Sequence, residues 1–312
     1  MSFQLYGPEG QRELPPISLN DRINDPALYL PPPGLVSAVN VALNLGLPLL
    51  LTGEPGTGKT QLAHHVAHYF SLGDVLVFNA QTTSSAKDLF YRYDALGHFQ
   101  YSQTQSEALS LEEVERKYIR YRALGAAIRS QERRVVLIDE IDKAPRDLPN
   151  DVLAALENLR FEVPEVEQEY ATTGDNRPII IMTSNSEKNL PEAFLRRVAY
   201  YHIEFPSAEE LLRILKKKVY GYEGSEGEER LRAIIAHFEF LRARTQVKLK
   251  KNPATAELIQ WSALLEKMGL DGQKLADLSQ LSEQERAQLQ LSYCVLAKNK
   301  DDLQQLQALA AG

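Results

Sequence analysis

Cysteine is nearly absent from this chain. Cys294 is the one example, so no intramolecular disulfide can form and no cysteine-based metal site is expected. Its side chain reads as a small buried apolar residue. Long apolar runs are missing as well. Nothing approaches the roughly 18 consecutive residues that would cross a bilayer. The N-terminus shows neither the basic nor the apolar region of a secretion signal. These absences point to a soluble cytoplasmic protein. A surplus of positive charge is lacking too: the formal net charge is −7, which gives no nucleic-acid footprint across the whole chain. At 312 residues, with 44% hydrophobic and 25% charged content, the chain suits two domains or one large one.

What is present is organised around one stretch. The apolar run 47–52, short enough for a buried strand, breaks into G-x-x-x-x-G-K-T and then into a helical pattern. The loop is Gly53, Glu54, Pro55, Gly56, Thr57, Gly58, Lys59 and Thr60. Its three glycines let the backbone bend without a Cβ clash. Amide N–H groups can then point inward and, with the helix N-terminus, cradle an anion. Lys59 would reach the β and γ phosphates of a nucleotide, and Thr60 would offer its hydroxyl to Mg²⁺.

Four more apolar runs read as strands, giving five in all: 48–52, 74–79, 134–139, 178–183 and 199–204. Near-continuous apolar strands of this kind belong in a parallel sheet covered on both faces. The run 134–139 ends in Asp139 and Glu140, two carboxylates at the sheet's C-terminal edge, where open α/β folds bind ligands. Asp139 would hold Mg²⁺, mostly through water, and Glu140 would polarise the attacking water. Asn185, just past the fourth run, can hydrogen-bond that water or the γ-phosphate. Between the strands, helices are expected over 35–45, 61–70, 147–159 and 190–198. The capping pattern Ser110-x-x-Glu113 opens another, expected to continue to about 130. Residues 80–106 suit a small inserted hairpin, and 160–177 a β-hairpin with a turn signal at Gly174, Asp175 and Asn176. His64, His65 and His68 on the second helix read as surface decoration, not ligands.

Three regions follow from this reading. Residues 1–33 form an extended lead, 34–206 an α/β core, and 207–312 an all-helical domain. In the last, Ser207-x-x-Glu210 and Ser282-x-x-Glu285 cap helices, and Leu258, Trp261, Leu265 and Met268 recur at helical spacing.

The motifs GEPGTGKT, VVLIDEID, IIIMTSN and LPEAFLRR resemble, in order and spacing, the Walker A, Walker B, sensor 1 and arginine-finger regions of AAA+ ATPases. The resemblance covers about 31–268. Within that superfamily the chain is most similar to the MoxR group, on the strength of the insert 84–96 and the hairpin before sensor 1. The resemblance implies an AAA+ P-loop core, a five-stranded parallel sheet flanked by helices, with a C-terminal all-α lid. It implies ATP and Mg²⁺ as cofactors, ATP hydrolysis, and assembly as a hexameric ring. Arg197, with Arg196 beside it, would reach a neighbour's γ-phosphate. Remodelling of a partner protein, such as one with a von Willebrand factor A domain, is the implied work. The lid segment 250–257 has no sensor-2 arginine: either Lys251 takes its place or the γ-phosphate is sensed without it. Two other readings stay open: a nucleic-acid motor of a restriction-type system, or a slow ATP switch in a defence or signalling assembly. The first would use Lys87, Arg92 and Lys188, but the acidic segment 162–169 opposes it.

Overall fold

The computed structural model describes residues 6, 13, 19–104, 109–145, 148–172, 174–186, 190–243 and 249–311. Lys188, much of the lead 1–33, the end of the insert at 106 and the first residue of the helix expected over 147–159 lie outside them. The chain divides into two compact units. One comprises residues 31–53 and 58–203; the other comprises 1–30, 54–57 and 204–312.

A short helix, α1 (Leu19–Asn24), belongs to the second unit. The first unit then runs α2 (Pro33–Leu45), β1 (Leu49–Gly53), α3 (Lys59–Tyr69), β2 (Leu76–Asn79), α4 (Lys87–Phe90), β3 (Tyr91–Tyr93) and α5 (Ala95–Thr104). It continues with α6 (Leu111–Tyr118), β4 (Ile119–Tyr121), α7 (Ala123–Arg129), β5 (Val135–Asp139), α8 (Leu148–Asn158) and the hairpin β6 (Arg160–Val163) and β7 (Gln168–Ala171). It ends with β8 (Ile179–Thr183), α9 (Glu192–Leu195) and β9 (Ala199–Ile203).

Five of these strands form one sheet in the order β2-β5-β8-β1-β9, every pairing parallel. Helices flank it, as the buried apolar strands require: Leu50, Val136, Leu137, Ile138 and Met182 are wholly buried. Parallel register brings the C-terminal ends of β1, β5 and β8 to one edge. The chain leaves that edge through the glycine loop and through Asp139 and Thr183.

Two local expectations give way. The helix expected over 110–130 is broken into α6, β4 and α7. The Ser110–Glu113 capping box does start α6, but Tyr118 to Tyr121 is rich in aromatic and β-branched residues, which favour a strand. Those residues find a partner in β3, pairing Tyr91 with Tyr121 and Tyr93 with Ile119. The inserted ribbon therefore spans a longer stretch than 80–106, with α5 and α6 carried between its strands. In the second hairpin the turn falls at 164–167, where Glu167 takes a left-handed conformation (φ 53°). Gly174 to Asn176 forms a separate turn after it.

Aromatic and ionic contacts join ribbon and hairpin. Phe161 stacks on Phe90 at 4.9 Å. Glu115 accepts hydrogen bonds from Tyr121 (2.6 Å) and Tyr170 (2.7 Å) and pairs with Arg129 (2.9 Å). Glu165 likewise accepts from Tyr91 (2.7 Å) and pairs with Lys87 (2.9 Å).

The second unit packs α1 with α10 (Ala208–Lys218), α11 (Gly224–Arg242), α12 (Thr255–Met268), α13 (Glu283–Ser292) and α14 (Lys300–Ala311). Both expected capping boxes form, at Ser207 and Ser282. Trp261, Phe238, Tyr293 and Leu306 are buried completely. Their polar atoms are satisfied inside, Trp261 Nε1 donating to Ser292 (2.8 Å) and His237 Nε2 meeting the Tyr293 hydroxyl (2.8 Å). Arg22 of α1 donates to the Lys217 and Lys218 carbonyls at the end of α10 (2.7 and 2.9 Å), where a cation meets the negative helix terminus. Cys294 corrects its expectation, being exposed. It follows Tyr293 at the frayed end of α13, and Tyr293 takes the interior place instead. Among the described residues no helix is long and apolar enough to cross a membrane.

Candidate nucleotide site

The loop after β1 has the backbone its glycines allow. Gly53, Gly56 and Gly58 all have positive φ (143°, 77° and 89°), values that side chains strongly resist. Gly58 is the N-cap of α3, so the loop delivers the helix N-terminus directly. Thr57 closes the turn by donating its hydroxyl to the Glu54 carbonyl at 2.8 Å.

Lys59, the first residue of α3, is 8% exposed. Its Nζ donates to the Gly53 carbonyl (2.7 Å) and to Asn185 Oδ1 (3.1 Å). Burial pulls the ammonium below its ordinary pKa, while Asp139, Asp142 and Glu140 work the other way. A buried cation under the influence of three carboxylates is suited to a polyanion that brings its own counter-charge.

Thr60 donates to the Asp139 carboxylate at 3.2 and 3.4 Å. The same carboxylate accepts from Thr183, the last residue of β8. Thr183 in turn accepts from the Glu140 main-chain N–H at 2.9 Å. One buried hydroxyl thus holds both acids at the end of β5. Glu140 itself sits in the left-handed region (φ 56°), a conformation that costs a non-glycine residue on the order of 1 kcal/mol or more. Its side chain pairs with Lys143 at 2.5 Å. Asn185 N donates to Asp142 at 3.3 Å. Hydroxyl and carboxylate oxygens side by side, Thr60 with Asp139, are the hard donors that suit Mg²⁺.

The structure therefore brings Lys59, Thr60, Asp139, Glu140 and Asn185 to one edge of the sheet. Arg196 and Arg197 are engaged elsewhere: Arg196 pairs with Glu192 (2.5 Å) and Arg197 with Glu157 (3.0 Å). Thr183 is a site residue the motifs do not reveal, since in sequence it is only the polar end of an apolar run. Arg242 is another. Within the second unit, which includes the loop tip Glu54–Thr57, Arg242 pairs with Glu54 at 2.8 Å and lies over the Phe205 ring. The main chain of Lys251, by contrast, is tied to Asp302 (3.2 Å).

Residues 48–198 match the sequence profile of the AAA domain, dynein-related subfamily. Spastin of Sus scrofa is 29% identical over 169 residues, 54% of this chain and 23% of that protein. The match thus spans about a quarter of the curated relative's length. Among solved structures, the FIGL-1 AAA domain in complex with ADP is similar at 18% identity and a TM-score of 0.45, covering 89% of this chain and 86% of that one. A RuvB mutant of Thermotoga maritima is similar at 17% identity and a TM-score of 0.40, covering 90% and 80%. A phosphate loop, paired acids and a polar strand end all lie inside residues 48–198, the span of this chain that is similar to the AAA domain.

Proposed function

We propose that this protein is a Mg²⁺-dependent ATPase of the MoxR type, working in the cytoplasm as a hexameric ring that remodels a partner protein. The observation that supports the reading best is the linked chain of Thr60, Asp139, Thr183 and the Glu140 main chain, beside the Lys59–Asn185 pair. Main-chain N–H groups of the loop hold the phosphates. Lys59 neutralises the β and γ oxygens, and Thr60 and Asp139 are the residues that would hold Mg²⁺, which would supply charge stabilisation at the phosphoryl group. Glu140 takes the proton of the attacking water, and Asn185 orients that water. In-line transfer needs little more than positioning and charge, and a carboxylate whose backbone is pinned is well suited to both.

Arg197 completes the site from the neighbouring subunit. Its pair with Glu157 is half-exposed on both sides (54% and 56%), so releasing it costs about 1 kcal/mol or less. A guanidinium supplied in trans repays that with ~10³–10⁵ in rate. Arg196, paired to Glu192 one turn earlier, supports the segment. Ribbon and hairpin, tied through Glu115 and Glu165, form the body that transmits force to the client. A partner with a von Willebrand factor A domain suits this class. Lys87 is neutralised by Glu165, which weakens the case for a nucleic-acid motor.

Two variants test the reading. Lys59→Ala should lose nucleotide binding, measured with a fluorescent ATP analogue. Glu140→Gln should bind ATP as the wild type does and release no phosphate. Normal turnover by Glu140→Gln would remove the assigned base.

A further inference from the structure

We propose that a cleft at the opposite end of the sheet receives the last residue of a partner polypeptide, with its apolar side chain inside and its α-carboxylate on Arg133 and Arg177. The cleft lies between α2 and the N-terminal ends of β1 and β8, and has a volume of about 130 Å³. Val39, Leu43, Leu47 and Ile181 are among its apolar walls, and the two arginines stand at its rim. An apolar cavity of about 150 Å³ holds a benzene molecule, so this space suits one branched or aromatic side chain.

The arginines select what the side chain must be attached to. Both are exposed. Arg133 donates to the Asp175 carbonyl at 2.8 Å, which fixes its direction without neutralising it. Neither guanidinium forms an ion pair with a described carboxylate. Arg177 reaches the C-terminal end of α2, where its Nε stands 3.5 Å from the point a Cβ on Gly46 would occupy. Pairing with the helix terminus would be its ordinary role. Yet the Leu43 and Ala42 carbonyls there already accept from Gly46 N (3.4 Å) and Leu47 N (3.0 Å). Among the described residues the Arg177 guanidinium makes no hydrogen bond or ion pair, so it is available to a ligand.

An anion joined directly to an apolar group satisfies rim and cavity together. Free phosphate would leave the cavity unfilled, and an uncharged chain would leave the arginines unused. A polypeptide C-terminus has the two groups on one carbon. Arginine grips a carboxylate through paired N–H bonds, and these two place positive charge at the cleft of a chain whose net charge is −7. Strand addition is not available here, because β1 lies between β8 and β9, and β8 between β5 and β1. Recognition rests on the side chain and the carboxylate.

The inference stands apart from the ATPase reading, since none of these residues touches the phosphate loop. Its test uses the full chain and a fluorescein-labelled hexapeptide ending in leucine with a free carboxylate, followed by fluorescence anisotropy. Saturable binding is expected, weakened at least about tenfold when the peptide is C-terminally amidated. Val39→Trp, which fills the cleft, and Arg133→Glu with Arg177→Glu should each weaken it as much while ATP turnover is unchanged. Absence of saturable binding, or equal affinity for the amidated peptide, would overturn the proposal; this comparison needs no variant and so cannot be confused with misfolding. A change in sedimenting mass of the double variant without peptide would overturn it too, assigning the cleft to contacts between copies.

Discussion

Thr183 shows how much of the candidate site's geometry can rest on one hydroxyl. It donates to Asp139 and accepts from the Glu140 main chain, so the two acids keep their places relative to each other. Removing it leaves the phosphate loop intact and loosens the acids. Thr183→Ala is expected to lower kcat about 10–100-fold, the usual effect of losing a group that orients metal-site carboxylates, with nucleotide affinity nearly unchanged. Thr183→Ser should restore most of the rate, which phosphate release would measure. A parallel loss of affinity would instead place Thr183 in the binding of nucleotide. The loop residues and the acid pair are legible in sequence because each has a spacing that chemistry enforces. Thr183 is not, because its role depends on parallel register: Ile138 lies beside Met182, and the next residue on each strand brings Asp139 to Thr183. Arg242 is hidden for a similar reason. It is one more arginine at the end of a helix until the chain returns it to Glu54.

Among the elements, α7 depends on a close approach. A Cβ on Gly125 would stand 2.0 Å from the Phe90 carbonyl oxygen, which is backbone and cannot turn aside. Gly125→Ala should therefore destabilise the core, although alanine is the better helix former, by about 1–3 kcal/mol or more from overpacking. A lower thermal midpoint is the expected readout; an unchanged one would mean that α7 stands further from α4. The same contact explains why the sequence misleads here. Helical periodicity over 110–130 is real in α6 and α7, but local pattern cannot show that Tyr91 and Tyr121, far apart in the chain, pair across a ribbon. The strands β1, β5 and β8 are legible because buried parallel strands read as continuous apolar runs whatever their pairing partner. In the helical unit, α11 carries His237, whose imidazole burial pushes down to about 4 from 6.5. Above pH 6.5 the ring is neutral folded or unfolded, and its contribution is fully present. Between 6.5 and about 4 the unfolded chain takes up a proton that the folded one refuses, so stability falls with pH by about 3 kcal/mol in all. His237→Gln keeps a partner for Tyr293 and removes the proton. Its denaturant midpoint should show a shallower acid slope than the wild type across this window. Matching slopes would mean that the ring is already protonated in the fold.

For the whole molecule, the decisive question is whether one chain holds a complete site. Glu140 lies at the end of β5, near enough to influence Lys59, whereas Arg197 is turned onto Glu157. If the finger acts across a subunit boundary, Glu140→Gln and Arg197→Ala damage different halves of each site. Each variant alone should be nearly inactive, one lacking the base and the other lacking the guanidinium. Mixing them restores function wherever an Arg197→Ala protomer, with its base intact, lies next to a Glu140→Gln protomer that still presents Arg197. With random assembly at equal amounts, about a quarter of the interfaces have that arrangement. Activity should therefore rise to a maximum near an equal mixture and fall towards zero at either end. A straight line between the two parent rates would mean that each protomer completes its own site. Arg197 would then act within its chain or not at all, and closed-ring assembly would no longer be required for turnover.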